Sequence, residues 1–454
     1  MDRWHSVSRI KHKNASRITL VPGAFIVFIV VLAALLFGSV ETWAYSFIGI
    51  VTVIFFNIWL HVSKHKVTHF FQNPLIKLMI ASLTGFILYG FIQIIPLPVQ
   101  IIKVLSPSTY HILQELSLES SCKSISFYPF ETINEIIKII IYAMIFFMAA
   151  SLSRDKDILI KLLSALVICG FILTIFAIIQ KVTWNGKIYW FRELTRGGNP
   201  FGPWVNSNHF ANFMGMIVPL GLGLSLFSDT VEKKFLYIFF SLFIAIGIFF
   251  TLSRAAIVSF IVSTVFFFMY SGLRGSGKKT ILYPGVFFLI LGGELLYFGI
   301  GPVLKIFAKT DFSTEGRFIV WSGTFEAIKD YFFWGTGLGT FQYVFPLYCP
   351  EELSNRRIYF DAHNDYIQLM LETGLMGSIL VSVFIFTIIL IGLKYSPKRR
   401  YLPFIASLLA SMLFMLLHSI FEFNFQMPAN TLLFSALAGF VVALSQRTRV
   451  RSVR

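Results

Sequence analysis

Apolar residues in this chain run in long unbroken stretches of similar length instead of alternating. They can be read at 20–38, 43–61, 74–96, 134–151, 158–180 and 210–227, and again at 235–252, 254–270, 281–300, 364–393, 401–421 and 429–445. As a helix, each suffices to cross a hydrocarbon core about 30 Å thick. The pattern predicts an all-α integral membrane protein with about 12 transmembrane helices, formed as a single polytopic domain over residues 1–454.

Composition agrees and narrows the class. With 56% hydrophobic and 13% charged residues and a mean hydropathy of +0.76, the polar surface that a soluble enzyme or a disordered chain needs is missing. Continuous apolar runs exclude a transmembrane β-barrel, whose strands alternate. The net charge of +16 would suggest nucleic acid in a soluble domain. Here it reports topology, and no nucleic-acid partner is expected. With the N-terminus inside, the inner segments hold about 22 Lys and Arg against about 13 outside, which is the bias of the positive-inside rule. Both termini are then cytoplasmic. The first span follows Arg9, Lys11, Lys13 and Arg17 and is too long for a signal-peptide core, so it reads as a retained anchor.

Three outer segments, 97–133, 181–209 and 301–363, exceed simple turns. The last lies between the ninth and tenth spans. Its stretch 318–333, with Ile319, Phe325 and Ile328 among polar residues, is expected at the membrane interface, and Trp321, Tyr331, Trp334 and Tyr343 fit an aromatic belt. Of the three cysteines, Cys122 and Cys349 fall on the outer side, where a disulfide is permitted; Cys169 does not, and the spacing is not that of a metal site.

Ionisable residues at span ends are the place to look for chemistry. Four fall on the outer side: His209, Arg254, Arg317 and His363. Arg254 sits in a tight turn between two spans, where an arginine either snorkels to headgroups or offers its planar fork to a phosphate. Arg317 belongs to the long polar loop, in which a charge is ordinarily only solvated. His209 serves equally as a cap in an Asn-rich turn. Histidine at position 363 opens a long span, as an interfacial residue or as a proton acceptor, the role its residue type suits near neutral pH. Asp155-Lys-Asp157 reads as a solvated turn with Asp157 capping the next helix, and Arg274-Gly-Ser-Gly-Lys278 lacks the spacing of a phosphate loop. Neither a metal nor a cofactor is expected.

Five segments, in order, resemble the O-antigen ligase and polymerase superfamily, bacterial membrane glycosyltransferases of the GT-C type. They are Gly202-Pro-Trp-Val-Asn-Ser-Asn-His-Phe-Ala211, Leu252-Ser-Arg-Ala-Ala256, Glu315-Gly-Arg-Phe-Ile-Val-Trp321 with Gly335-Thr-Gly-Leu-Gly-Thr-Phe341, His363-Asn-Asp-Tyr-Ile-Gln-Leu-Met-Leu-Glu-Thr-Gly374, and His418-Ser-Ile-Phe-Glu-Phe-Asn-Phe-Gln-Met-Pro428. The region 202–428 carries the resemblance, and Phe37-Gly-Ser-Val-Glu-Thr-Trp43 adds a little to it. It implies a protein of the bacterial inner membrane whose active site faces the periplasm. There a glycan would pass from undecaprenyl diphosphate to an acceptor hydroxyl, on lipid A–core in a ligase or on another lipid-linked glycan in an O-antigen or exopolysaccharide polymerase. By the same resemblance His363 is the catalytic histidine and Arg254 and Arg317 handle the diphosphate. Asn208, His209, Trp321 and His418 stand in matching segments and are expected to help bind substrate, beside a groove for the polyprenyl tail. The physical chemistry agrees, since fixed arginines can stabilise a departing diphosphate and a neutral histidine can take the acceptor's proton. A transporter or flippase for a lipid-linked solute is the competing class. Its mark would be paired ionisable residues at mid-span, for which Glu294 and Lys161 are weak candidates. A structural scaffold would leave the outer-face arginines and histidines unexplained.

Overall fold

The computed structural model describes residues 20–62, 73–115, 122–152, 156–194, 198–274, 282–298, 301–308, 316–353, 358–394 and 401–451. The basic stretches Arg9–Arg17, Lys278–Lys279 and Lys398–Arg400, and Asp155 of the acidic tripeptide, lie outside them. In chain order the helices are α1 (Leu20–Leu35), α2 (Thr42–Val62), α3 (Pro74–Ile94), α4 (Val99–Leu105), α5 (Pro107–Glu115), α6 (Pro129–Ser151), α7 (Lys156–Val182), α8 (Ser207–Phe227) and α9 (Val231–Phe250). They continue with α10 (Arg254–Arg274), α11 (Leu282–Phe298), α12 (Gly301–Ala308), α13 (Gly316–Asp330), α14 (Phe341–Val344), α15 (Asp365–Lys394), α16 (Leu402–His418) and α17 (Pro428–Arg451). The only sheet among the described residues is one antiparallel pair, Leu97–Pro98 with Cys122–Lys123. The protein is an all-α integral membrane protein.

Nine of these helices are long and apolar enough to cross a membrane, and shorter apolar helices stand at Leu20–Leu35, Gly285–Tyr297 and Leu402–His418, so each predicted stretch contains a helix. The predicted stretches 20–38 and 401–421 overrun their helices. In the first, Phe37, Gly38 and Ser39 all take positive φ and end the helix in a turn. In the second, the chain leaves the helix at Ser419 and turns into a loop in which polar and aromatic residues alternate.

Core and lipid-facing sides follow from residue size. Helix α8 is buried along most of its length because small residues let neighbours close in: a Cβ on Gly215 would stand 2.0 Å from the Phe414 ring of α16. Helices α2 and α15 keep apolar side chains outward, among them Phe47, Ile50, Ile54 and Ile58 on α2 and Met376, Ile379 and Phe386 on α15. In water such a surface would associate, whereas acyl chains solvate it.

At the end of the bundle where α8, α10, α15 and α17 begin, the long connections pack on one another as a second layer. Val320, Ala327, Ile328, Phe341, Val344, Phe345 and Leu371 form its own small core. Within the stretch 318–333, α13 presents Phe325 outward as expected, but Ile328 faces this local core instead of the interface. Gly323, Thr324 and Ala327 make that close approach possible: a Cβ on Gly323 would lie 2.5 Å from the Tyr348 carbonyl. Cys122 and Cys349 are not joined by a disulfide.

The turn 335–341 anchors this layer to α15 by backbone contact. Gly335 has φ +69° and a Cβ there would be 2.4 Å from the Glu372 carbonyl oxygen, while Gly374, which interrupts α15 at φ +59°, meets the Phe333 carbonyl at the same distance. Gly335→Ala is therefore expected to destabilise the protein by at least the roughly 1–3 kcal/mol of backbone strain alone. Gly285→Ala, inside α11 with open space around it, should not lower the thermal midpoint in detergent. Equal midpoints for the two variants would contradict the packing described.

Candidate functional site

Helices α8, α10 and α15 begin beside the loop between α16 and α17, and each start is shaped by local sequence. Asn206 caps α8, its side chain accepting from the Asn208 amide at 2.9 Å, so the cap of the Asn-rich turn is Asn206 and not His209. Asn364 caps α15, accepting from the amides of Tyr366 and Ile367 at 3.0 and 3.1 Å. The hydroxyl of Ser253 lies 3.4 Å from the Ala256 amide at the start of α10. The loop itself is stitched to α15: the Asp365 amide donates to the Ser419 carbonyl at 3.0 Å and the Phe425 amide to the Asp365 carboxylate at 3.1 Å.

At the centre is Glu422, fully buried, whose carboxylate gathers three residues from distant parts of the chain. Arg317 Nη2 and Asn208 Nδ2 both donate to its Oε1, and His363 Nδ1 lies 3.4 Å from its Oε2. Arg317 and His363 keep 28% and 33% of their side chains exposed, so both face the carboxylate on one side and remain reachable from the other. Burial alone would push the Glu422 carboxyl up. The hydrogen bond with His363 and the nearby Arg317 outweigh it and hold the carboxyl down to about 2.

Histidines 209 and 418 stand behind this front. The Phe423 ring packs edge-on against both His209 and His363, with centroids 4.7 and 4.8 Å away. His209 is almost wholly buried beneath it, and Asn430 Nδ2 lies 3.3 Å from its carbonyl. His418, also buried, has Nδ1 3.2 Å from Asn212 Oδ1 and Nε2 3.5 Å from Ser253 Oγ. In this structure neither histidine offers a surface to a substrate. Arg254 follows Ser253 as the first residue of α10, half-buried, after Leu252 at φ 56°. Trp321, half-buried on α13, donates from Nε1 to the Ala362 carbonyl at 3.0 Å, and its ring lies 5.9 Å from Phe421. It braces the residue before His363.

The arrangement has a definite chemical capacity. A carboxylate only accepts, so the His363 Nδ1 proton points to Glu422 and the Nε2 lone pair is left as the base. Arg317 spends part of its donor fork on Glu422 and retains further N–H groups for an anion. Asn208, Arg317 and His363 are thus brought onto one carboxylate, His209 and His418 behind it. Glu422 itself was singled out by no sequence argument. It is the lone acid of the segment His418–Pro428, at the edge of an apolar run, and that position was the available signal. Of the candidates for a transport pair, Lys161 is exposed on α7 and Glu294 half-buried on α11.

Residues 239–382 match a family model described as O-antigen ligase. The matched stretch holds Arg254, Arg317, Trp321 and His363, and leaves Asn208, His209, His418 and Glu422 outside it. No curated protein matches the chain. The segment that carries both arginines and the half-exposed histidine is similar to O-antigen ligase sequence and is set in an all-α membrane bundle, which supports the O-antigen ligase/polymerase superfamily.

Proposed function

We propose that the protein is a metal-independent inverting glycosyltransferase. It moves a glycan from undecaprenyl diphosphate to an acceptor hydroxyl of lipid A–core, at the periplasmic face of the bacterial inner membrane with both termini in the cytoplasm. The observation that carries this reading is Glu422 holding Arg317 and His363 side by side, an anion binder next to a base. His363 Nε2 takes the acceptor's O–H proton as that oxygen attacks the anomeric carbon. The bond from that carbon to the diphosphate breaks, and its electron pair leaves with the diphosphate. Arg317 and Arg254 offset the negative charge that grows there, the part a divalent cation plays in other diphosphate chemistry. One in-line displacement inverts the anomeric centre. Trp321 and Asn208 hold the catalytic pair in place, and His209 and His418 support the loop that bears Glu422.

The match to the O-antigen ligase model favours lipid A–core as acceptor. A polymerase would use the same groups on a second lipid-linked glycan. Purified protein, supplied with a lipid-linked glycan in excess EDTA, is expected to transfer it to added lipid A–core. Chains lengthening on the lipid carrier would instead mark a polymerase. A requirement for Mg²⁺ or Mn²⁺, or no transfer to either acceptor, would overturn the reading.

A further inference from the structure

His363 stands on backbone that residues other than glycine rarely adopt, φ 53°, a conformation that persists only where its surroundings impose it. The preceding residue shows what imposes it. Both polar groups of Ala362 are claimed by side chains: its amide donates to Gln368 Oε1 at 3.0 Å and its carbonyl accepts from Trp321 Nε1 at 3.0 Å. The other end of Gln368 is divided, with Nε2 3.3 Å from Asp361 Oδ1 and 3.2 Å from Glu372 Oε1. Glu372 is fixed in turn by the amides of Gly339 at 2.9 Å and Phe341 at 3.3 Å, and its own carbonyl accepts from Gln93 Nε2 at 2.9 Å.

Gln368 and Glu372 are each 2% exposed and lie one helical turn apart on the same side of α15. Buried polar groups in a membrane helix are costly, and apolar residues of like size would serve stability as well or better. A network that is fully satisfied, and that ends on the two residues before a strained histidine, does more than fill space. We propose that Gln368, backed by Glu372, is a positioning residue that fixes the 361–363 backbone so that His363 presents its imidazole in the reactive orientation. Glu422 orients the ring from one side, and this relay sets the chain that carries it. The inference rests on His363 being the base.

The test is a double-mutant cycle on the full-length protein in detergent, with Gln368→Met, His363→Ala and the double variant. Three quantities are measured: the thermal midpoint, the affinity for undecaprenyl diphosphate, and the single-turnover rate of glycan transfer to lipid A–core. Gln368→Met is expected to slow transfer by roughly 10- to 100-fold at unchanged undecaprenyl diphosphate affinity, and to cost nothing further once His363 is alanine. The same loss in both backgrounds would show a merely structural role and overturn the proposal, as would an unchanged rate. An unimpaired His363→Ala single variant overturns the assignment of the base, and is read without reference to Gln368. If Gln368→Met fails to fold, Trp321→Phe removes the bond to Ala362 from its other side and keeps an aromatic ring there. It should show the same dependence on His363, and additive losses would again overturn the proposal.

Discussion

His363→Ala is expected to lower single-turnover glycan transfer by roughly 10²–10⁴-fold, the range for loss of a general base, while the affinity for the lipid diphosphate stays within about twofold. The split follows from the geometry. Arg317 reaches Glu422 without passing through His363, so removing the imidazole leaves the guanidinium held and its remaining donors available. The acceptor hydroxyl, a poor nucleophile, loses the group that takes its proton as the new C–O bond forms. His363→Gln, which keeps a polar side chain but no base, should fare no better than alanine. Measuring binding and single turnover on the same preparations separates the two effects, because steady-state rates also include product release. A His363→Ala protein with wild-type transfer would remove the mechanism, and weakened diphosphate binding in proportion to rate would move His363 from base to anion binder.

The bundle was legible because lipid leaves the backbone few options. A chain that must satisfy every amide internally becomes helix wherever it is apolar for long enough, so continuous runs translate into spans such as α8 and α15. Their ends were less so. Gly38 within Phe37–Ser39 hints at the first turn, but its exact place, like that of the turn at Ser419–Glu422, depends on what packs against it. The rule that an ionisable residue at a span edge invites a functional reading found Arg254, Arg317, His209 and His363. It gave no means of ranking them, since exposure separates the half-open Arg317 and His363 from the enclosed His209 and exposure is a tertiary property. Glu422 escaped for a related reason. Its partners lie 59, 105 and 214 positions away, and no local spacing encodes a carboxylate that draws together α8, α13 and the histidine two residues before α15. The network behind His363 was half legible: Gln368 and Glu372 fall within a quoted segment, but their bonds to Ala362 and Gly339 need the fold.

Glu422→Gln is expected to impair stability, donor binding and turnover together, and that breadth is what distinguishes it from His363→Ala. Glutamine has nearly the shape of glutamate, so the buried site stays filled and the bond from Asn208 can survive, but the charge is gone. Arg317 is left beside a neutral amide. Breaking a buried ion pair from one side costs about 3–5 kcal/mol, and the lower end applies because Arg317 keeps access to water. His363 loses the acceptor that fixed its proton on Nδ1. In protease triads the loss of such a carboxylate costs about 10⁴ in rate, and the 3.4 Å contact here argues for a smaller drop, about 10²–10³-fold. Displaced from its anchor, Arg317 should also bind the lipid diphosphate more weakly, and Glu422→Asp should recover part of each loss by restoring the charge at shorter reach. The pH dependence of stability supplies a separate check. Glu422 is held at about 2 in the folded protein against an ordinary value of 4.5, so its stabilising contribution is complete above about 4.5 and is lost as pH falls toward about 2. The thermal midpoint of the wild type should therefore exceed that of Glu422→Gln by a constant margin near neutral pH, with the margin closing across that acidic window. A margin independent of pH, or a Glu422→Gln protein that binds the lipid diphosphate and transfers glycan like the wild type, would show that the carboxylate does not organise the site.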